Sequence, residues 1–178
     1  GYYRPEDLEL DPAYSDPAHP QAVRFCWANS GHEPAGHFGE VLCAVDPAPL
    51  MAGFGDRRVT VTRFVEGDRD FNAFDNLAFQ PGSGNLYALE DHDNGDIWAC
   101  LPDGADRNFK SDGCVKILSV KDTSAEPTGF LFDASGNLLI GNVIGFQGIL
   151  QYKMEDKASS VGAVEVEIGS ASDKGCGL

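Results

Sequence analysis

Two stretches of this chain repeat one another. Phe74 to Asp91, FDNLAFQPGSGNLYALED, aligns with Pro127 to Asn142, PTGFLFDASGNLLIGN, once the turn is shortened by one residue, so Asn85-Leu86 and Asn137-Leu138 fall at equivalent places. Each copy carries strand-sized apolar runs on either side of a glycine-containing turn. A β-sandwich has no need to repeat its sequence. A period of roughly 40 to 50 residues with four strands per unit is the signature of propeller blades.

The remaining strands fill out that period. Pro5–Leu10, Val23–Asn29, Glu40–Asp46 and Val59–Val65 read as four strands, the last alternating with β-branched residues. Between the first two lies a polar loop, Asp11 to Gln21, whose prolines exclude a helix. Asn76–Phe79, Asn85–Leu89, Asp96–Leu101 and Cys114–Val120 form the second set, and Thr128–Phe132, Asn137–Asn142, Gly148–Lys153 and Ala163–Ile168 the third. The expected architecture is all-β. It consists of three four-stranded antiparallel blades at about 4–66, 74–121 and 126–168, with a tail at 169–178. Propellers use about four to eight blades, so three do not close a ring. The rest is expected from further chain of the same precursor, a second copy or a partner.

With 28 acidic against 13 basic residues the formal charge is -15, which disfavours nucleic acid and anionic membranes and suits cation binding or plain solubility. No apolar run approaches the ~20 residues of a membrane helix. The chain opens at Gly1 without Met or a signal-like segment and reads as a processed or partial chain. Its five cysteines, Cys26, Cys43, Cys100, Cys114 and Cys176, form no CxxC zinc spacing. Cys26 with Cys43, and Cys100 with Cys114, fall on consecutive strands. Cross-strand disulfides and buried free thiols both suit that placement.

In a propeller the innermost strands converge at the channel mouth. That makes Glu6, Asp75 and Thr128 equivalent, with Asp7, Asn76 and Gly129 beside them. Carboxylates and a hydroxyl at one mouth suit a hard cation such as calcium, which takes six to eight oxygen ligands. The same side chains also serve simply to cap strand ends. Arg4 stands two residues before Glu6, so an extended chain projects both side chains alike. An arginine there is either a phosphate clamp or half of a surface ion pair. The run Glu90-Asp91-His92-Asp93-Asn94-Gly95-Asp96 has acidic-loop spacing but lacks the distal glutamate and flanking helices of an EF-hand. It reads as a hairpin turn whose first acids, Glu90 and Asp91, face the channel as further metal ligands. His19, His32, His37 and His92 show no zinc-hydrolase spacing, and no GxSxG, phosphate-loop or dinucleotide fingerprint is present.

Taken in order, Arg4-Pro5-Glu6-Asp7-Leu8-Glu9, Trp27-Ala28-Asn29, Phe74 to Phe79, Gly84 to Asp91, Gly95-Asp96-Ile97-Trp98 and Glu126-Pro127-Thr128-Gly129 resemble the later part of the PhoX-type bacterial alkaline phosphatases and their relatives. The resemblance implies a six-bladed propeller with a calcium and iron cluster at its mouth, hydrolysing phosphomonoesters in an extracytoplasmic compartment. It implies that Arg4 holds the phosphate, that Glu6 is a metal ligand and that Asp75 is a further channel acid. The family's cysteine ligand and other glutamates come from blades that precede the matched part, and none of the five cysteines here takes that place. The alternative is a half-propeller kept as a structural or interaction subunit of a larger assembly.

Overall fold

The computed structural model describes residues 3–51, 58–92, 95–102, 113–119, 127–134, 136–142, 150–152 and 166–168. Among these residues twelve strands follow one another in sequence. They are β1 (Pro5–Leu10), β2 (Val23–Asn29), β3 (Glu40–Asp46), β4 (Thr60–Glu66), β5 (Phe74–Phe79), β6 (Leu86–Glu90), β7 (Asp96–Cys100), β8 (Val115–Ser119), β9 (Pro127–Phe132), β10 (Leu138–Asn142), β11 (Leu150–Tyr152) and β12 (Val166–Ile168). They form three four-stranded antiparallel sheets in which each strand pairs only with its sequence neighbours: β1 to β4, β5 to β8 and β9 to β12. This is the expected grouping, with boundaries that match for β1 to β3 and differ by one to three residues elsewhere. Short 3-10 turns at Glu33–Ala35 and Pro49–Met51 are additions the sequence did not announce. Among the described residues no helix is long and apolar enough to cross a membrane. The turn residues Asp93 and Asn94, Cys176 and the tail 169–178 lie outside the described residues.

Strand alternation decides how the sheets stack. On β2, Arg24, Cys26 and Ala28 are buried, whereas Phe25 and Trp27 on the opposite face are half-buried. The buried face meets Phe74, Leu77, Phe79, Leu86, Ala88 and Cys100 of the second sheet in one core. The second sheet's other face, with Ala78, Tyr87, Leu89 and Ile97, packs on Leu138 and Phe132 of the third. The first strands of the three sheets, β1, β5 and β9, lie side by side in order.

Both disulfides left open by the sequence are present. Cys26 and Cys43 are directly opposed on β2 and β3, and Cys100 on β7 joins Cys114 just before β8. Arg24 is also buried in this core and pairs with Asp11 at 2.8 Å, between the rings of Phe64 and Phe79. Its charge is therefore answered by a carboxylate and two aromatic faces.

The three first strands share one irregularity. Between Pro5 and Leu8, between Phe74 and Leu77, and between Thr128 and Phe130, one extra residue is inserted relative to the partner strand. A bulge unpairs a residue and re-aims its neighbours' side chains. By this register Glu6, Asp75 and Thr128 are equivalent, as are Asp7, Asn76 and Gly129, and the letters align Asp75 with Thr128 and Asn76 with Gly129 in the same way. Immediately before β1 and β5, Arg4 and Ala73 adopt left-handed conformations at φ 51° and 50°. Their carbonyls accept the N–H of Ser30 at 3.1 Å and of Asp91 at 2.7 Å, the residues that follow β2 and β6. Sheets one and two thus open with the same turn.

Candidate functional site

The repeated turn and bulge bring a charged cluster together at the entry ends of β1 and β5. Arg4 Nη2 donates to Asp91 Oδ2 at 2.8 Å and lies 3.3 Å from Glu6 Oε1. One guanidinium nitrogen is therefore shared by carboxylates from two different sheets. Nη1 and Nε have no protein partner among the described residues, and the side chain is 60% exposed. Arg4 reaches Glu6 through its left-handed turn, not through the extended alternation expected from a two-residue spacing.

Ser30 and Asp91 occupy equivalent positions, and the difference between them sets the electrostatics. In the first sheet the Ser30 hydroxyl donates to Glu6 Oε1 at 3.1 Å, an attractive pair. In the second sheet the corresponding neighbour of Asp75 is the carboxylate of Asp91. Burial, followed by repulsion from Asp91, Glu6 and Asp7, pushes the Asp75 carboxyl from 3.8 to about 6, with Arg4 pulling the other way. The Arg4 guanidinium is itself raised, chiefly by its hydrogen bond to Asp91. The cluster is left with more negative than positive charge.

A cavity of about 420 Å³ adjoins the cluster, walled by Arg4, Ser30, His32, Asn72, Asp91 and His92. Its upper wall is the β2–β3 loop, where His32 and His37 bridge each other's backbones and Tyr3 stacks on the His37 ring at 4.7 Å. The loop closes tightly because Gly39, at φ 99°, sits where a Cβ would lie 2.7 Å from the Asn29 carbonyl oxygen.

Of the residues singled out in the sequence, Arg4, Glu6, Asp75 and Asp91 are brought together. Glu90 is committed elsewhere. It is 1% exposed, and its two oxygens accept the N–H groups of Asn72 and Asp96, each at 3.0 Å, with His92 Nε2 3.3 Å from Oε2. Burial raises its carboxyl above the ordinary value against these stabilising amides. Asp7 is likewise engaged by backbone, accepting from Leu8 N–H and Leu77 N–H, both at 2.9 Å. Thr128 donates to Asn76 Oδ1 at 3.4 Å, and Gly129 N–H reaches the same oxygen at 2.8 Å. Ser30, Asn72 and His32 were not foreseen. Aligning Asn29-Ser30 with Glu90-Asp91 across the repeat would have found Ser30.

Glu6, Asp75 and Asp91 supply the hard oxygen donors that calcium takes. They do not enclose a cation, because Arg4 stands between Glu6 and Asp91, and no group of three His, Cys, Asp or Glu among the described residues is arranged to hold a metal. Iron ligation by thiolate finds no candidate among the described cysteines, all four of which are in disulfides. No protein-family model matches the chain, and no curated protein or solved structure does either.

Proposed function

We propose that this chain forms three blades of a β-propeller, completed to about six by further polypeptide, whose mouth binds the phosphate end of a phosphomonoester for hydrolysis, as in the PhoX-type alkaline phosphatases it resembles. The observation that carries the reading is the anchoring of Arg4. Its Nη2 is fixed by carboxylates from two sheets, while Nη1 and Nε remain available beside the cavity. A planar guanidinium held in this way offers a pre-oriented donor pair to an oxyanion. The side-by-side run of β1, β5 and β9, with equivalent bulges at one end, supports the propeller arrangement.

The surplus of carboxylates repels a phosphate dianion unless positive charge accompanies it. In the completed ring a divalent cation such as calcium, joined by ligands from outside these residues, would supply that charge. Glu6, Asp75 and Asp91 are this chain's oxygen donors towards it. Such an ion neutralises phosphate charge when bound. Arg4 orients the ester, Ser30 holds the Glu6 carboxylate in place, and His32, Asn72 and His92 shape the cavity wall. The two disulfides fit an extracytoplasmic location.

The test is phosphomonoesterase activity of the complete assembly with and without chelator. Activity is expected to be lost on chelation and to fall at least about 100-fold in Arg4→Met. Hydrolysis that survives both would remove the proposed site. A second reading, a non-catalytic module within a larger assembly, is favoured by the failure of the described carboxylates to close around a cation. It predicts a complete assembly without hydrolysis.

A further inference from the structure

The cavity beside Arg4 has an upper wall whose chemistry a phosphate group alone does not use. That wall is the loop between β2 and β3, and its own hydrogen bonds hold it in place. His32 N–H donates to the His37 carbonyl at 2.7 Å, and His37 N–H donates to the His32 carbonyl at 3.3 Å. Within the hairpin so closed, Pro34 opens the short turn Glu33–Ala35, and Gly36 N–H donates to the Glu33 carbonyl at 2.8 Å. At the far end the Phe38 carbonyl accepts the Ala73 N–H at 3.0 Å, which fastens the first sheet's loop to the opening turn of the second sheet. Glu33, Pro34 and Phe38 are thereby held over the space that Arg4 and Asp91 border from the ends of β1 and β6.

The charges of this lining do not balance. Among the described residues Arg4 is its only Lys or Arg, and Nη2 of that side chain already serves Asp91 and Glu6. Glu33 is exposed, and its carboxylate has no hydrogen-bond or ion-pair partner among the described residues. Pro34, Phe38 and Ala73 supply the apolar part of the same lining. A free carboxylate and an aromatic ring in one pocket suit an alkylammonium group, because the carboxylate answers the charge and the ring face attracts it from another side. An anionic substituent meets the reverse, since Glu33 and Asp91 both repel it and no second arginine or lysine answers it. A volume of about 420 Å³ suits a small ester rather than a polymer.

We infer that the cavity selects phosphomonoesters of small amino alcohols, with Arg4 taking the phosphate and Glu33, together with Phe38, taking the ammonium group. Such an ester is a zwitterion, and its positive end meets the carboxylate that its phosphate end leaves unanswered. This selection rests on the mouth being a phosphomonoester site and adds the identity of the alcohol. In the hydrolysis water adds across the P–O ester bond. Its OH stays on phosphorus and its proton goes to the departing oxygen, so the products are inorganic phosphate and a protonated amino alcohol.

The test compares three phosphonates, in which a methylene replaces the ester oxygen and hydrolysis does not intervene. They are 3-aminopropylphosphonate, butylphosphonate and 3-carboxypropylphosphonate, each titrated calorimetrically into the complete assembly with calcium. The amino compound is expected to bind about tenfold more tightly than the butyl compound, a gain within reach of one exposed ion pair and one ring face, and the carboxy compound more weakly than both. In Glu33→Gln the amino compound is expected to weaken and the carboxy compound to tighten, opposite shifts that a merely disturbed loop does not produce. Equal binding of the amino and butyl compounds to the wild type overturns the selection and leaves the phosphate site standing. A Glu33→Gln variant that keeps the wild-type ratios does the same. Failure of all three to bind removes the phosphate site and the selection together.

Discussion

Asp75 gives the charged cluster at the start of β5 a pH dependence whose sign is fixed by its surroundings. Its folded carboxyl titrates near 6 against 3.8 in the unfolded chain, so the folded state binds the proton more tightly. The stability that protonation contributes is complete below about pH 4 and is lost as pH rises through 6. Asp75→Asn should therefore be more stable than the wild type at pH 8, by about 1 kcal/mol once the shift is discounted for solvent screening, and the difference should vanish by pH 4. Urea denaturation of both proteins in chelator at the two pH values measures this. Arg24 and Asp11 make the opposite kind of pair, with both side chains 9% exposed. Removing Asp11 takes a carboxylate away from the buried Arg24 charge, so Asp11→Ala should cost about 3 kcal/mol, read from the shift in urea midpoint.

At the level of strands, the bulge residues act as pegs between sheets. Asp7→Ala leaves the Leu77 N–H without its acceptor and should cost about 1 to 2 kcal/mol, whereas Asp7→Asn keeps an acceptor oxygen and should stay within about 0.5 kcal/mol of the wild type. Thermal denaturation of the two variants separates the peg from simple loss of charge. These pegs show where the sequence stops being readable. Strand positions were legible because turn residues such as Pro81, Gly82 and Gly84 punctuate runs of alternating apolar residues. The bulges were not, since one extra residue leaves that alternation looking intact to the eye. Nor was the left-handed turn at Arg4, which uses no glycine to advertise itself. Glu90 shows the same limit from the other side. It and Asp91 are adjacent in sequence and read as facing the channel together, but Glu90 ends β6 with both oxygens on backbone amides, whereas Asp91 lies just past the strand and meets Arg4.

For the molecule as a whole, the second and third sheets were legible in the repeated letters, while the first sheet and the equivalence of Glu6 with Asp75 came from fitting the remaining strands to the same period, because similar turns force similar register. The pairing of cysteines needed coordinates, since adjacent strands permit both oxidised and reduced partners. Each disulfide closes a short loop, with sequence separations of 17 and 14. In the chain-entropy account each contributes about 3 kcal/mol, so Cys100→Ala with Cys114→Ala should lower the urea midpoint accordingly without changing the strand content seen by circular dichroism.

The central claim is that Arg4, held by Glu6 and Asp91, receives a phosphate group. Calorimetric titration of inorganic phosphate into the complete assembly in the presence of calcium tests it most directly, with Arg4→Met measured alongside. The predicted result is one phosphate bound per wild-type chain and affinity reduced about 100-fold or more in the variant, the loss expected when a charged donor pair is removed. Equal affinity in the two proteins, or no binding to the wild type, would contradict the account.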